Sequence, residues 1–222
     1  MELILKILAS YLLGSLIGSL IVGRLRGGVD IRRLGSGNAG GTNALRTQGK
    51  AFAFWVMLID IGKGIVATRV IAPLPLHGIG LVGAGTAAAL LRDWLPVACG
   101  IAVIIGHVYP LWHGFRGGKG VATLVGVLVG LDLLLLLIAL ITWLVALVLF
   151  GFVGLASIIA ACSVSIAVAV GGLQPQLPLL VFGVAIAVLV TFTHRTNLAR
   201  MRAGTEPRAR RLWLFGRGRR VS

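Results

Sequence analysis

The chain has 222 residues, 58% of them hydrophobic and only 12% charged, with a mean hydropathy of +1.00. That balance excludes an ordinary soluble domain, and apolar runs of spanning length recur from Met1 to Thr193, so the fold class is an all-α polytopic membrane bundle. The formal net charge of +15 comes from 21 Lys and Arg against 6 Asp and Glu; because these residues flank the apolar runs, topology and anionic headgroups account for the excess and nucleic acid is not implied as a partner.

Hydropathy predicts about seven transmembrane helices, near residues 3–23, 51–73, 94–112, 119–130, 133–150, 153–171 and 177–193. The first lacks a basic leader and a small-residue cleavage pattern, and reads as a retained span. After it comes a glycine-rich strip, GSGNAGGTNALRT, residues 35–47. Ser36, Asn38, Thr42, Asn43 and Arg46 offer hydroxyl, amide and guanidinium donors there. Gly35, Gly37, Gly40 and Gly41 leave the backbone open to an anion. A turn-rich loop with positive-inside arginines is the plainer alternative, but it has no need of so many donors.

The second predicted span carries Asp60 and Lys63, which share a helix face at i, i+3 and either pair structurally or support a site. Residues 75–91 are apolar, glycine-rich and short; they extend a neighbouring helix, lie at the interface or re-enter the membrane. A second strip follows, GHVYPLWHGFRGGKGVAT, residues 106–123. Gly117, Gly118 and Gly120 flank Lys119 just ahead of an apolar run, where a helix N-terminus adds N–H groups and a favourable dipole for an anion. The spacing is not that of a Walker A loop. His107 and His113 read as hydrogen-bonded structural residues, and Asp132 as a turn.

Cys99 and Cys162 sit in apolar runs as small core residues, no metal-ligand spacing exists, and no cofactor is expected. Small residues such as Gly14, Gly18 and Ala160 suit close helix packing. After the last span comes HRTNLARMRAGTEPR, residues 194–208. If this segment is helical, His194 and Asn197 face together, while Arg195, Arg200 and Arg202 spread around the cylinder. A stop-transfer cluster explains the arginines but not the His and Asn; Glu206 reads as an arginine partner. The expected organisation is a bundle over 1–193 and a basic tail over 194–222, with Trp213, Leu214 and Phe215 suited to an anionic leaflet.

Six Lys and Arg lie between Arg24 and Lys50 and nine arginines follow Thr193, while the turns near Asp132 and 171–176 carry none. Seven spans put the basic segments on one side, so the N-terminus is expected outside, the C-terminus in the cytoplasm, and all three motifs on the cytoplasmic face.

GSGNAGGTN followed by Arg46, GHVYP followed by FRGGKGVAT, and His194-x-x-Asn197, in that order, resemble the bacterial integral-membrane acyl-phosphate:glycerol-3-phosphate acyltransferases over nearly the whole chain. The resemblance implies transfer of a fatty acyl group from acyl phosphate to the 1-hydroxyl of sn-glycerol 3-phosphate. The products are 1-acylglycerol 3-phosphate (lysophosphatidate) and inorganic phosphate, in phospholipid synthesis at the bacterial cell (inner) membrane. It further implies that Ser36, Arg46, Lys119, His194 and Asn197 form the polar catalytic site. Gly37, Asn38, Gly40, Thr42 and Asn43, with Gly117, Gly118 and Gly120, are the expected substrate-binding residues; membrane lipids are the other expected partner.

One departure is visible: the family commonly has a Ser before a Leu after an aromatic–Val pair, where this chain has Gly154 in FGFVGLAS. Water or Ser157 is the expected substitute. The piece at 75–91 is also longer than the family usually has.

The His with an Asp five residues on, used by soluble-donor glycerolipid acyltransferases, is absent at His77, His107, His113 and His194. A mixed-anhydride donor needs less acid–base help, which suits this inventory. A transporter for a phosphorylated solute would spread polar groups across the bilayer rather than gather them on one face. A metal-dependent lipid phosphatase would need an acidic cluster that the chain lacks.

Overall fold

The computed structural model describes residues 1–76, 86–171, 177–209 and 212–214, and these are helical without strands. The helices are α1 Glu2–Gly14, α2 Gly18–Leu25, α3 Gly41–Gln48, α4 Lys50–Val66, α5 Thr86–Val108, α6 Val121–Leu131, α7 Leu133–Phe150, α8 Val153–Val170, α9 Leu177–Thr193 and α10 Arg195–Arg202. Among the described residues four segments are long and apolar enough to cross a membrane: Lys50–Ile71, Asp93–His113, Leu133–Phe150 and Val153–Val170. The count rises to six if the bent pairs α1 with α2 and α9 with α10 each make one span. α6 is a shorter apolar helix.

The first predicted span is therefore not one straight helix. It breaks at residues 15–17 and turns by 45°. Hydropathy alone could not show this, because the groups that hold the break come from α4 and α5, as described below. Of the stretch 75–91, residues 86–91 belong to the start of α5, while 77–85 lie outside the described residues. α4 continues through a π-helical turn, Ala67–Ile71, in which the Thr68 hydroxyl donates to the Gly64 carbonyl at 3.0 Å.

The chain divides into two compact units, Met1–Asp132 and Leu133–Ser222. In the first, α1 packs on α5, α4 on α6, and α2 and α3 on α4. In lipid the hydrophobic effect does not drive helices together, so close packing of small residues must. Gly14 and Gly106 meet back to back: a Cβ on either would lie 3.0 Å from the other's Cα. Gly18 abuts the Val56 carbonyl and Asp60 in the same manner. The apolar cluster of Val22, Ile31, Ala44, Phe52, Ala53 and Val56 joins α2, α3 and α4 beneath the first strip.

In the second unit α7 packs on α8 and α8 on α9. Leu133, Leu137, Leu140, Ile141, Leu144 and Val145 recur at helical spacing along α7 and are exposed, as a lipid-facing stripe must be. Ala160 and Val164 are buried on α8. Residues after Arg202 return to α7 and α8: the Ala209 N–H donates to the Gly151 carbonyl, and the Trp213 indole donates to the Leu149 carbonyl at 3.2 Å. The Arg208 guanidinium lies 4.7 Å from the Phe152 ring centre and 4.0 Å from that of Trp213. Arg208, Ala209 and Trp213 thus rest on the apolar helices of their unit, and Phe215 lies outside the described residues.

Candidate active site

The first strip is organised around Asn43, on the first turn of α3. Its side chain is buried, and its amide nitrogen faces the Ile31, Leu34 and Asn38 carbonyls at 2.9, 3.0 and 3.0 Å. Its amide oxygen accepts from the Ser36 N–H at 3.0 Å. Asn43 therefore shapes the loop from within. Gly35, at φ +56°, is required here: a Cβ would overlap the Asn43 oxygen and lie 2.8 Å from Thr47 Cγ2. Asn38 accepts from the Gly40 N–H at 2.9 Å, closing the turn before α3.

With Asn43 turned inward, Ser36, Thr42 and Arg46 are the exposed donors of the strip. The first-turn N–H groups of α3, from Gly41 to Asn43, are those a helix cannot satisfy itself. A Cβ on Gly41 would stand 2.6 Å from Met57 Sδ, the end of a flexible side chain. Gly37 donates its N–H to the Leu34 carbonyl.

The second strip is sewn onto the end of α5. The Gly117 N–H donates to the Val108 carbonyl and the Gly118 N–H to the His107 carbonyl, both at 3.1 Å. A Cβ on Gly117 would overlap the His107 carbonyl oxygen, and one on Gly118 would overlap Nε2 of the His107 ring. These two N–H groups are spent on α5, and the space a Cβ would fill at either glycine is taken by His107. Gly120, at φ +84°, turns the chain into α6 as its N-cap. Lys119, between them, is half-buried and already has interactions within the protein.

Arg32, three residues ahead of the first strip, ties that segment to the second strip. Its guanidinium forms an ion pair with Asp30 at 2.9 Å, and Nη1 donates to the His113 and Arg116 carbonyls at 3.2 and 3.3 Å. A hollow of about 250 Å³ adjoins this latch, lined by Leu20, Arg24, Gly28 and Val29 with Asp30, Arg32 and His113. Hydrogen bonding from Arg32 holds the Asp30 carboxyl below its ordinary range of about 3.8. A depressed pKa means the pair contributes above that range and is lost only as pH falls through the folded value. Arg32→Met should therefore raise KM for glycerol 3-phosphate, the acceptor that the resemblance implies, severalfold, whereas the wild-type pH profile between 5 and 8 should show no titration from this pair; steady-state kinetics across pH checks both.

The third motif lies in the second unit, where His194 and Asn197 are buried and Arg195 and Arg202 are exposed. His194 precedes α10. Its Nδ1 lies 2.9 Å from the Val190 carbonyl, which only accepts, so Nδ1 carries a hydrogen. The Asn197 amide donates to Glu206 Oε1 at 2.6 Å, and Arg200 Nε donates to Oε2, also at 2.6 Å. Glu206 is thus an arginine partner, as expected, and also the residue that orients Asn197. Its signal in the sequence was a single carboxylate in a strongly basic tail.

Gly154 faces Asn197: a Cβ there would stand 2.9 and 3.0 Å from Asn197 Cβ and Cγ. Serine at 154 would crowd that side chain in this chain. Ser157 does not reach into the vacated corner; its hydroxyl donates to the Val153 carbonyl at 2.9 Å and accepts from the Trp143 indole at 3.3 Å.

Beneath the strips lies a group of charges that local sequence reading only half resolved. Asp60, Lys63 and His107 are buried together, with Lys63 Nζ 2.9 Å from Asp60 Oδ1 and 2.8 Å from His107 Nδ1. Asp60 and Lys63 do pair, and His107 is their third member. Cys99 and Cys162 are unbridged, and among the described residues no three His, Cys, Asp or Glu side chains converge as metal ligands would.

Comparison with known proteins agrees with this geometry. The family model for glycerol-3-phosphate acyltransferase matches residues 4–204. A glycerol-3-phosphate acyltransferase of Coxiella burnetii (strain CbuG_Q212) is 36% identical over 211 residues, covering 95% of this chain and 100% of that one. One of Staphylococcus aureus (strain JH9) is 37% identical over 209 residues, covering 94% and 98%. The crystal structure of PlsY, an integral membrane glycerol 3-phosphate acyltransferase, in its glycerol 3-phosphate form superposes with a TM-score of 0.79 at 31% identity, covering 94% of this chain and 96% of that one. Its lysophosphatidic acid form gives 0.78 at the same identity. The sequence motifs, the helical membrane fold and these relatives agree, and the chain belongs to the integral membrane glycerol-3-phosphate acyltransferase family.

Proposed function

We propose that this acyltransferase takes its acyl group from acyl phosphate and delivers it to the 1-hydroxyl of sn-glycerol 3-phosphate, on the cytoplasmic side of a bacterial inner membrane. The observation that carries the reading is the pair of cation-bearing glycine strips in one unit, with Arg32, just ahead of the first, bonded to the second. Two phosphate-bearing substrates call for two such strips. The relatives of known structure have been seen with glycerol 3-phosphate and with lysophosphatidic acid, the acceptor and product of this reaction. The basic loops and tail support the cytoplasmic placement.

In this reading Arg46 and Lys119 hold phosphate oxygens of the two substrates, and Ser36, Asn38 and Thr42 add hydrogen bonds at the first strip. The glycerol hydroxyl oxygen attacks the acyl carbonyl carbon, and the bond from that carbon to the phosphate oxygen breaks. The departing phosphate takes the hydroxyl proton and leaves as hydrogen phosphate. The resemblance counts His194 and Asn197 with the site, and within their own unit His194 is anchored through Nδ1 and Asn197 by Glu206. The leaving group is good, so a strong general base is not required.

The test uses purified protein with palmitoyl phosphate and glycerol 3-phosphate, following phosphate and lysophosphatidate together. Equal amounts of the two, and neither when acyl-CoA or acyl carrier protein replaces the acyl phosphate, is the expected result. Product from a thioester donor and none from acyl phosphate would overturn the donor assignment.

A further inference from the structure

We infer that Asp60, Lys63 and His107 are positioning residues for the acceptor, a buried charged node that sets the two glycine strips at their working separation. The inference rests on the reading that both strips bind substrate. Asp60, Lys63 and His107 are 0%, 4% and 2% exposed. Burying such charges costs several kcal/mol per ion, and well-packed apolar residues commonly replace buried ion pairs with no loss of stability. Stability alone therefore gives this cluster no reason to exist.

Its contacts supply one. Lys63 Nζ donates to the Gly14 and Leu16 carbonyls at 3.0 and 2.8 Å, the acceptors freed where α1 ends. Asp60 Oδ1 accepts from the Gly18 N–H at 3.2 Å, the first residue of α2. The next residue, Ser19, donates its hydroxyl to the Ala39 carbonyl at 2.7 Å, inside the first strip. On the other side, His107 Nδ1 lies 3.3 Å from Asp60 Oδ1, and the same imidazole packs edge-on against Gly118, directly before Lys119. One helix, α4, thus grips the break that leads to the first strip and the ring that supports the second. The 45° bend of α1 and α2 is the shape this grip imposes.

Single neutralisations leave a buried charge unpaired and are expected to lower stability. The informative variant is therefore the double one, Asp60→Asn with Lys63→Met, with His107→Gln as an independent second. Three quantities are read: the thermal midpoint, the Kd for glycerol 3-phosphate alone, and KM against kcat with palmitoyl phosphate. The double variant should regain the midpoint lost by the singles yet keep a Kd and KM for glycerol 3-phosphate raised about tenfold, as misplacement of a pre-organised site by a fraction of an ångström does. His107→Gln should raise the same two constants without a matching fall in the midpoint. Return of binding together with stability in the double variant, or unchanged binding in folded His107→Gln, would overturn the inference. If the double variant does not fold, His107→Gln alone decides it. The Kd needs no acyl donor, so a wrong donor assignment and a wrong positioning role give different results.

Discussion

Arg46→Ala is expected to lower kcat/KM by about 10²- to 10³-fold, the worth of two charge-assisted hydrogen bonds to one phosphate, while the thermal midpoint stays where it is. Arg46 lies on α3 and its side chain is exposed, so truncating it leaves no cavity and no buried partner. Its neighbours on the same helix are fixed independently: Asn43 by three carbonyls, and Thr47 by its hydroxyl bond to the Asn43 carbonyl at 2.9 Å. The helix therefore survives the substitution and only the cation is lost. Arg46→Lys separates charge from shape. An ammonium keeps the field but not the planar fork, so it should recover about a tenfold share of the loss and no more. Full recovery by lysine would mean that Arg46 acts as a point charge, and wild-type kinetics in the alanine variant would remove it from the site.

The sequence was legible where its signals are local. The apolar runs are helical, as α1 with α2, α4, α5, α6, α7, α8 and α9, because an apolar segment in lipid has little choice but to bond its own backbone. Among the described residues, however, four segments are long enough to cross, or six with the bent pairs, where seven were expected. The strips were visible as glycine and donor density against an oily background. What stayed hidden depends on partners distant in the chain. Lys63 lies 49 residues from Gly14 and 44 from His107, and no local pattern announces either contact. The same limit explains the glycines of the second strip. GG before a lysine reads as backbone opened to an anion, whereas Gly117 and Gly118 are small because the end of α5 is pressed against them. Asn43 was legible as a polar group in the right place but not as one turned inward, since its acceptors at Ile31, Leu34 and Asn38 follow from the path of the loop.

Two glycines two residues apart on α4 test how tightly that packing is set. Gly62 and Gly64 both lie on α4 and both carry the entropic cost of glycine in a helix. Nothing lies within 4 Å of a Cβ built on Gly62. Gly62→Ala should then leave the thermal midpoint unchanged or raise it slightly, by the ~0.5–1 kcal/mol that alanine gains over glycine. Gly64 is different. A Cβ there would overlap the Thr123 carbonyl and stand 2.7 Å from the Val127 nitrogen and 2.9 Å from the Gly126 carbonyl carbon, all backbone atoms of α6. Gly126 answers from the other side, where a Cβ would overlap the Ile61 carbonyl. No rotamer relieves a clash with backbone, so the helices must separate. Overpacking of this kind costs about 1–3 kcal/mol or more, and Gly64→Ala should lower the midpoint in detergent by about 10 °C. Separation would also carry α6 away from α4, and α6 begins two residues after Lys119. Gly64→Ala should therefore lose activity below the temperature at which it unfolds, while Gly62→Ala retains it. Equal behaviour of the two variants would mean that the approach of α4 to α6 is looser than the backbone contacts indicate, and that the second strip takes its position from α5 alone.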